Sequence, residues 1–204
     1  MMKRYAMEFV GTFFLTVAIS LMPNPAAIGL MLMAVIYLGA HISGANFNPA
    51  ISFACMLQKR YDATEMAKYM VAQTLGALLA LCFFCMVTTT SFALDIIPDT
   101  PILMPMAMEA LFVLLFAWVY LTMNLMNRYK DTALAGLILG LTLCLMTMMP
   151  GGLFNPAVAV ASFLCNAFKD GGSAFDMGSA IIYVVGPMVG ALGASYMFNY
   201  FKAE

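Results

Sequence analysis

The sequence predicts an all-α membrane protein of six transmembrane helices plus two re-entrant half-helices, arranged as an inverted repeat in a single domain over 1–204. Three observations predict this fold. The chain is 64% hydrophobic and only 9% charged, with a mean hydropathy of +0.93, far too apolar for a soluble domain of 204 residues. Polar or proline-containing breaks divide it into apolar segments of about the length that crosses a bilayer. Two Asn-Pro-Ala triplets, Asn48-Pro49-Ala50 and Asn155-Pro156-Ala157, stand in apolar surroundings that should reject them. The formal net charge of −1 gives no sign of a nucleic-acid partner.

The spans can be taken in order. The first, 5–22, superficially resembles a signal peptide, but Glu8 interrupts its apolar run and no A-x-A-type site follows. The second, 26–43, starts after "PNP" (Pro23 to Pro25), and the third, 64–91, after "QKRYD" (Gln58 to Asp62). The fourth, 102–126, follows "DIIPDTP" (Asp95 to Pro101), the fifth, 132–149, follows "NRYKD" (Asn127 to Asp131), and the sixth, 177–201, follows "KDGGS" (Lys169 to Ser173). With six spans both termini share a side. Lys3, Arg4, Lys59, Arg60, Lys68, Arg128, Lys130 and Lys202 then fall on that side, and only Lys169 falls on the other. Excess Lys and Arg marks the cytoplasmic face, so both termini are expected in the cytoplasm and the protein in a cell membrane.

Two apolar stretches are left over. Residues 49–58 form a helix of only ~15 Å and residues 156–168 one of ~20 Å at ~1.5 Å per residue. Neither crosses ~30 Å of hydrocarbon alone, but end to end they make about one crossing.

The two halves, about 5–92 and 104–201, repeat each other. "NFNPA" (46–50) matches "LFNPA" (153–157), and "IGLMLM" (28–33) matches "AGLILG" (135–140) at the same offset. "YMVAQTLGALLA" (69–80) matches "YVVGPMVGALGA" (183–194), and Glu8 matches Glu109. Each half holds three spans and one half-helix. Three is odd, so the second copy lies upside down, which is an architecture of membrane transport.

The triplets now read as helix starts. Asn is a favoured N-cap, and Pro is tolerated in the first turn, where its missing N–H has no partner to lose. Asn48 and Asn155 would cap two half-helices that point at each other along a polar path. Each N-terminus carries about +0.5 charge, which repels cations and spares neutral solutes.

The five Cys and 21 Met lie in apolar runs. The Cys read as buried free thiols and the Met as packing and lipid-facing residues, with no metal site, disulfide or cofactor expected. No catalytic constellation is expected either. Gly136/Gly140 and Gly186/Gly190 are GxxxG pairs that let helices cross closely.

At these residues the sequence resembles the aquaporins, the major intrinsic protein family, over nearly its whole length. "MEFVGTFFL" (7–15), "GAHISGANFNPAISFA" (39–54), "YMVAQTLGA" (69–77) and "YVVGPMVGALGA" (183–194) carry the resemblance together with the paired triplets. It implies six tilted helices and two half-helices, homotetramers with one pore per protomer, and a lipid-embedded channel for water or small neutral solutes. It makes Asn48 and Asn155 the paired pore asparagines, and Glu8 and Glu109 buried braces of the signature loops. His41 becomes a hydrogen-bonded loop residue. Asn46 takes a position often held by a pore-facing His and becomes a candidate pore polar group.

The departures bear on selectivity. The family's outer filter corresponds by position to Ile28, Leu143, Gly152 and Val158. The usual Arg after the second triplet is replaced by Val158, and the Asp found beside it in glycerol facilitators by Ala159. Such an apolar ring replaces water's hydrogen bonds poorly, so it favours less polar neutral solutes such as ammonia, small alcohols or undissociated acids. Two other functions compete with the channel: a non-conducting structural membrane protein, and an ion-coupled secondary transporter. The transporter would normally need midplane ionisable groups beyond two braced glutamates.

Overall fold

The computed structural model describes residues 2–92, 100–129, 133–169 and 177–202. Of the expected breaks, 95–99, 130–131 and 170–173 lie outside the described residues. Helices α1 (Met2–Leu21), α2 (Pro25–Ser43), α3 (Pro49–Leu57) and α4 (Ala63–Thr88) are followed by α5 (Leu103–Leu125), α6 (Leu134–Met146) and α7 (Pro156–Lys169). The last rod comprises α8 (Met177–Ala180), a π-helical segment (Ile181–Val185) and α9 (Gly186–Phe201). No strand occurs among the described residues.

Among the described residues, five helical stretches are long and apolar enough to cross a membrane: α1, α2, α4, α5 and the rod Gly178–Phe201. The fifth expected span, 132–149, is shorter than its apolar run. Its helix closes at Met146, and the chain then turns through 147–151, with Gly151 in the left-handed region at φ 73°. Pro150 and the two following glycines end the helix there. The 13-residue α6 spans ~20 Å.

Helices pair in equivalent ways in the two halves. α1 packs on α4 and α5 on α9; α1 on α2 and α5 on α6; α4 touches α7, α9 touches α3, and α2 and α6 pack on each other. The close crossings use backbone without side chains. A Cβ on Gly76 would strike the Phe9 carbonyl of α1, and a Cβ on Gly190 the Ala110 carbonyl of α5. Gly29 and Gly140 each face the other's carbonyl where α2 meets α6. Gly136 instead accommodates the Tyr37 ring and Gly186 the Met106 carbonyl.

The outward faces are apolar, as on α4, where Val71, Leu75 and Leu79 are all exposed. That i, i+4 spacing makes a stripe suited to lipid rather than water. The polar residues turn inward. Glu8, Thr12, Thr16, Gln73 and Glu109 are buried among helices that are otherwise apolar.

Candidate functional site: two capped half-helices beneath an apolar cavity

The site is built on two loops that enter the fold and end at α3 and α7. In the first, Gly44 (φ 92°), Ala45 (φ 53°) and Phe47 (φ 52°) adopt left-handed backbone; in the second, Phe154 (φ 57°) occupies the place of Phe47. Such conformations are rare for residues with a side chain and persist where surrounding contacts over-determine them. Those contacts are present. The Phe47 ring lies against Gly11, where a Cβ would collide with it. Phe154 packs at 5.5 Å on the Phe112 ring.

Two glutamates hold the loops. Glu8 Oε1 accepts from Ser43 Oγ (2.6 Å) and the Asn46 N–H (3.0 Å). Its Oε2 accepts from the Phe47 N–H (2.7 Å) and Gln73 Nε2 (2.8 Å). Glu109 accepts the Leu153 N–H (2.6 Å) and the Phe154 N–H (2.8 Å), one on each oxygen. Orphaned loop donors in an apolar interior would be costly, so these carboxylates fix the loop paths.

Asn48 and Asn155 sit where the loops meet. Asn48 Oδ1 caps α3 by accepting the Ala50 N–H (2.9 Å), and Asn155 Oδ1 accepts the Ala157 N–H at the start of α7 (3.0 Å). Each amide also reaches the opposite loop. Asn48 Nδ2 donates to the Phe154 carbonyl (2.8 Å) and Asn155 Nδ2 to the Phe47 carbonyl (3.0 Å). An Asn Nδ2 has two N–H groups, so a second donor on each remains for another partner. Both residues line a cavity of about 290 Å³.

The rest of that cavity is largely apolar. Leu15, Ile19, Ile28, Leu32, Phe116 and Leu143 line it, with Thr147 and residues 149–154 of the approach to α7. Ile28, Leu143 and Gly152, three of the four expected filter residues, are among the lining. Val158 is not. Its side chain is fully buried with Ala77, Leu81, Ala157, Ala161 and Cys165, in the seam between α4 and α7. A short β-branched side chain in the first turn of α7 fills that seam, whereas a long one could leave it. A second, almost wholly apolar cavity of about 200 Å³ lies beside the first and shares Met149, Pro150, Gly151, Gly152, Phe154 and Tyr183 with it.

Asn46 lines the cavity but its amide is already engaged. Its Nδ2 donates to Ser52 Oγ (3.1 Å) and to the Tyr61 hydroxyl (2.6 Å). Its Oδ1 accepts from the Tyr120 hydroxyl (2.6 Å). Asn46 therefore ties the first loop to Tyr61 and Tyr120 rather than offering spare amide hydrogens to the cavity. Tyr61 lies in the connection before α4. Burial raises its phenol well above the ordinary value, which keeps it protonated and donating to the Ser52 carbonyl (3.1 Å).

Sequence reasoning missed this network and the Gln73 bridge, whose Nε2 also donates to Ser52 Oγ (2.9 Å). A lone Gln inside an apolar span was the available signal. Two further expectations change. His41 is exposed in the last turn of α2 rather than placed in the loop, because that helix runs on to Ser43. Of the five thiols, Cys55 and Cys165 are buried, Cys85 and Cys144 are half-buried, and Cys82 is exposed on the outward side of α4.

Comparisons with known proteins agree with this architecture. The family described as "Major intrinsic protein" matches residues 16–198. Glycerol uptake facilitator protein-like 6 of Lactiplantibacillus plantarum is 32% identical over 222 residues, covering all of both chains. Aquaporin AqpM of Methanothermobacter thermautotrophicus is 28% identical, covering 99% of this chain and 98% of its own. The aquaglyceroporin from Plasmodium falciparum superposes with a TM-score of 0.82 at 19% identity, over 98% of this chain and 96% of that one, a likeness of fold. The multi-pass apolar fold, the paired capped half-helices and the match along nearly the whole sequence lead to one conclusion: the chain belongs to the major intrinsic protein family of membrane channels for water or small solutes.

Proposed function

We propose that the protein is a passive channel for small neutral solutes, with a pore that passes Asn48 and Asn155 and an outer filter formed by Ile28, Leu143 and Gly152. The observation that carries this reading is the pair of half-helix N-termini meeting at one cavity floor, each cap keeping one amide N–H uncommitted. Water or a hydroxyl passing the floor can accept those hydrogens. A cation there faces two positive helix ends, which cost it about 3 kcal/mol at ~5 Å and an effective dielectric near 20. That is roughly a hundredfold exclusion before dehydration is counted.

The wall above the floor governs which neutral solutes pass. Ile28 and Leu143 offer no hydrogen bonds, and Val158, where the family usually carries Arg, is folded into the α4–α7 seam. Solutes with few hydrogen-bonding needs, such as ammonia, small alcohols or undissociated acids, pass relatively well and water less well. Leu143→Asn gives water a partner at that level. Stopped-flow measurements on proteoliposomes should show the water-to-ammonia permeability ratio rising severalfold. An unchanged ratio in an equally well folded variant removes Leu143 from the filter.

The orientation follows the Lys and Arg asymmetry, with both termini in the cytoplasm of a cell membrane and residues 92–101 outside. In a cysteine-free background, Ile97→Cys should be labelled by an impermeant thiol reagent in intact cells and Tyr129→Cys should not. The reverse pattern overturns the orientation. The apolar outward faces fit a homotetramer in the bilayer, with one pore in each protomer.

A further inference from the structure

Where α4 packs on α7, the Sγ atoms of Cys85 and Cys165 are 3.6 Å apart, between residues 80 positions apart in sequence. Cys82 lies one helical turn earlier on α4 and is exposed. Cys82 and Cys85 thus form a C-x-x-C on one helix face, with the third thiol supplied by α7. Among the described residues no His, Cys, Asp and Glu grouping is arranged to hold a metal ion. The other two thiols are elsewhere: Cys55 beside Asn46, and Cys144 against Gly29 where α2 meets α6.

We propose that Cys85 and Cys165 are a peroxide-responsive redox pair whose disulfide staples α7, the half-helix that Asn155 caps, to α4. The two sulfurs are already in van der Waals contact, so bond formation needs an approach of roughly 1.5 Å, within the reach of side-chain rotation and a small helix shift. The α4–α7 seam sets Ala77 and Leu81 of α4 against Ala157, Val158 and Ala161 of α7, mostly small side chains that let the helices approach closely. Beyond the end of α4, Ser162 Oγ and Asn166 Nδ2 donate to the Phe92 carbonyl, at 3.3 and 3.2 Å. A covalent link at Cys165 would hold α7 further along its length. Neither thiol lines the cavity, so the staple forms without entering the permeation path.

The site selects the oxidant. Cys85 is half-buried and Cys165 buried on apolar helices, which excludes charged thiol-exchange partners and admits a small neutral one. Hydrogen peroxide fits that requirement. Cys85, the more accessible of the two, attacks one peroxide oxygen; the O–O bond breaks, the thiol becomes a sulfenic acid and one water leaves. The Cys165 sulfur then attacks the sulfenic sulfur; the S–O bond breaks, the S–S bond forms and a second water leaves. Two thiols lose two protons and two electrons, and one peroxide takes them up to become two waters.

The experiment treats the full-length protein with hydrogen peroxide, alkylates the remaining thiols, and maps the unreduced peptides by mass spectrometry beside a thermal melt. Wild type and Cys82→Ser should both yield a Cys85–Cys165 cross-linked peptide that dithiothreitol releases. Cys85→Ser and Cys165→Ser should not. Oxidation should raise the wild-type melting temperature by roughly 5–10 °C, the order expected for closing a long loop, and leave Cys165→Ser unchanged. Three results overturn the proposal: Cys85 and Cys165 both remaining alkylatable, separate over-oxidation of each, or a link formed through Cys82 in place of Cys85. The wild-type map with and without peroxide decides the matter even if a serine variant fails to fold.

Discussion

Glu8→Ala is expected to leave little folded protein. The carboxyl is fully buried and accepts four hydrogen bonds, from Ser43, the Asn46 and Phe47 N–H groups and Gln73. Removing it strands donors of a loop whose Ala45 and Phe47 already occupy unfavourable backbone. At ~1–3 kcal/mol for each buried donor left unpaired, the loss reaches about 4 kcal/mol or more, a large part of a typical stability. Glu109→Ala strands two loop N–H groups and should cost about half as much. Fluorescence-detected size-exclusion chromatography and thermal melts of the two variants measure the difference. A well-folded Glu8→Ala protein with altered solute preference would place Glu8 in the pore instead of behind it.

Asn155→Asp is expected to turn an excluded cation into an admitted one. The substitution keeps an oxygen to cap α7 through the Ala157 N–H but removes the donor that reaches the Phe47 carbonyl. A full negative charge then offsets the two half-positive helix ends, and the ~3 kcal/mol electrostatic barrier largely disappears. Proton or sodium leak through proteoliposomes should rise by at least tenfold, while Asn155→Ala, which adds no charge, should stay tight to cations and lose stability. Equal leak in Asn155→Asp and wild type, with both folded, would show that the floor does not control ion exclusion.

How much of this was legible beforehand depends on what each feature requires. The spans follow from run length, and the half-helices from Asn-Pro-Ala, because capping and the missing proline N–H act locally. Glu8 and Glu109 were identifiable because a carboxyl in an apolar span demands donors, though the sequence could not show that Glu8 serves four and Glu109 two. Val158 was harder to place. Two residues after Pro156, a change of rotation about the α7 axis decides between pore and seam, and spacing alone does not resolve it. Asn46 shows the same limit: its place beside the cavity was readable, but its saturation by Ser52, Tyr61 and Tyr120 depends on residues elsewhere in the sequence. The Cys85–Cys165 contact joins the two halves of the chain and has no local signature.

The central claim is passive movement of neutral solutes past Asn48 and Asn155. It is tested most directly by stopped-flow light scattering on proteoliposomes challenged with ammonia, glycerol and an impermeant osmolyte, with proton and sodium gradients present or collapsed by ionophores. Flux well above protein-free vesicles is expected for at least one neutral solute, at a rate that collapsing either ion gradient leaves unchanged. Flux equal to protein-free vesicles for every solute, or flux that vanishes with an ion gradient, would contradict it.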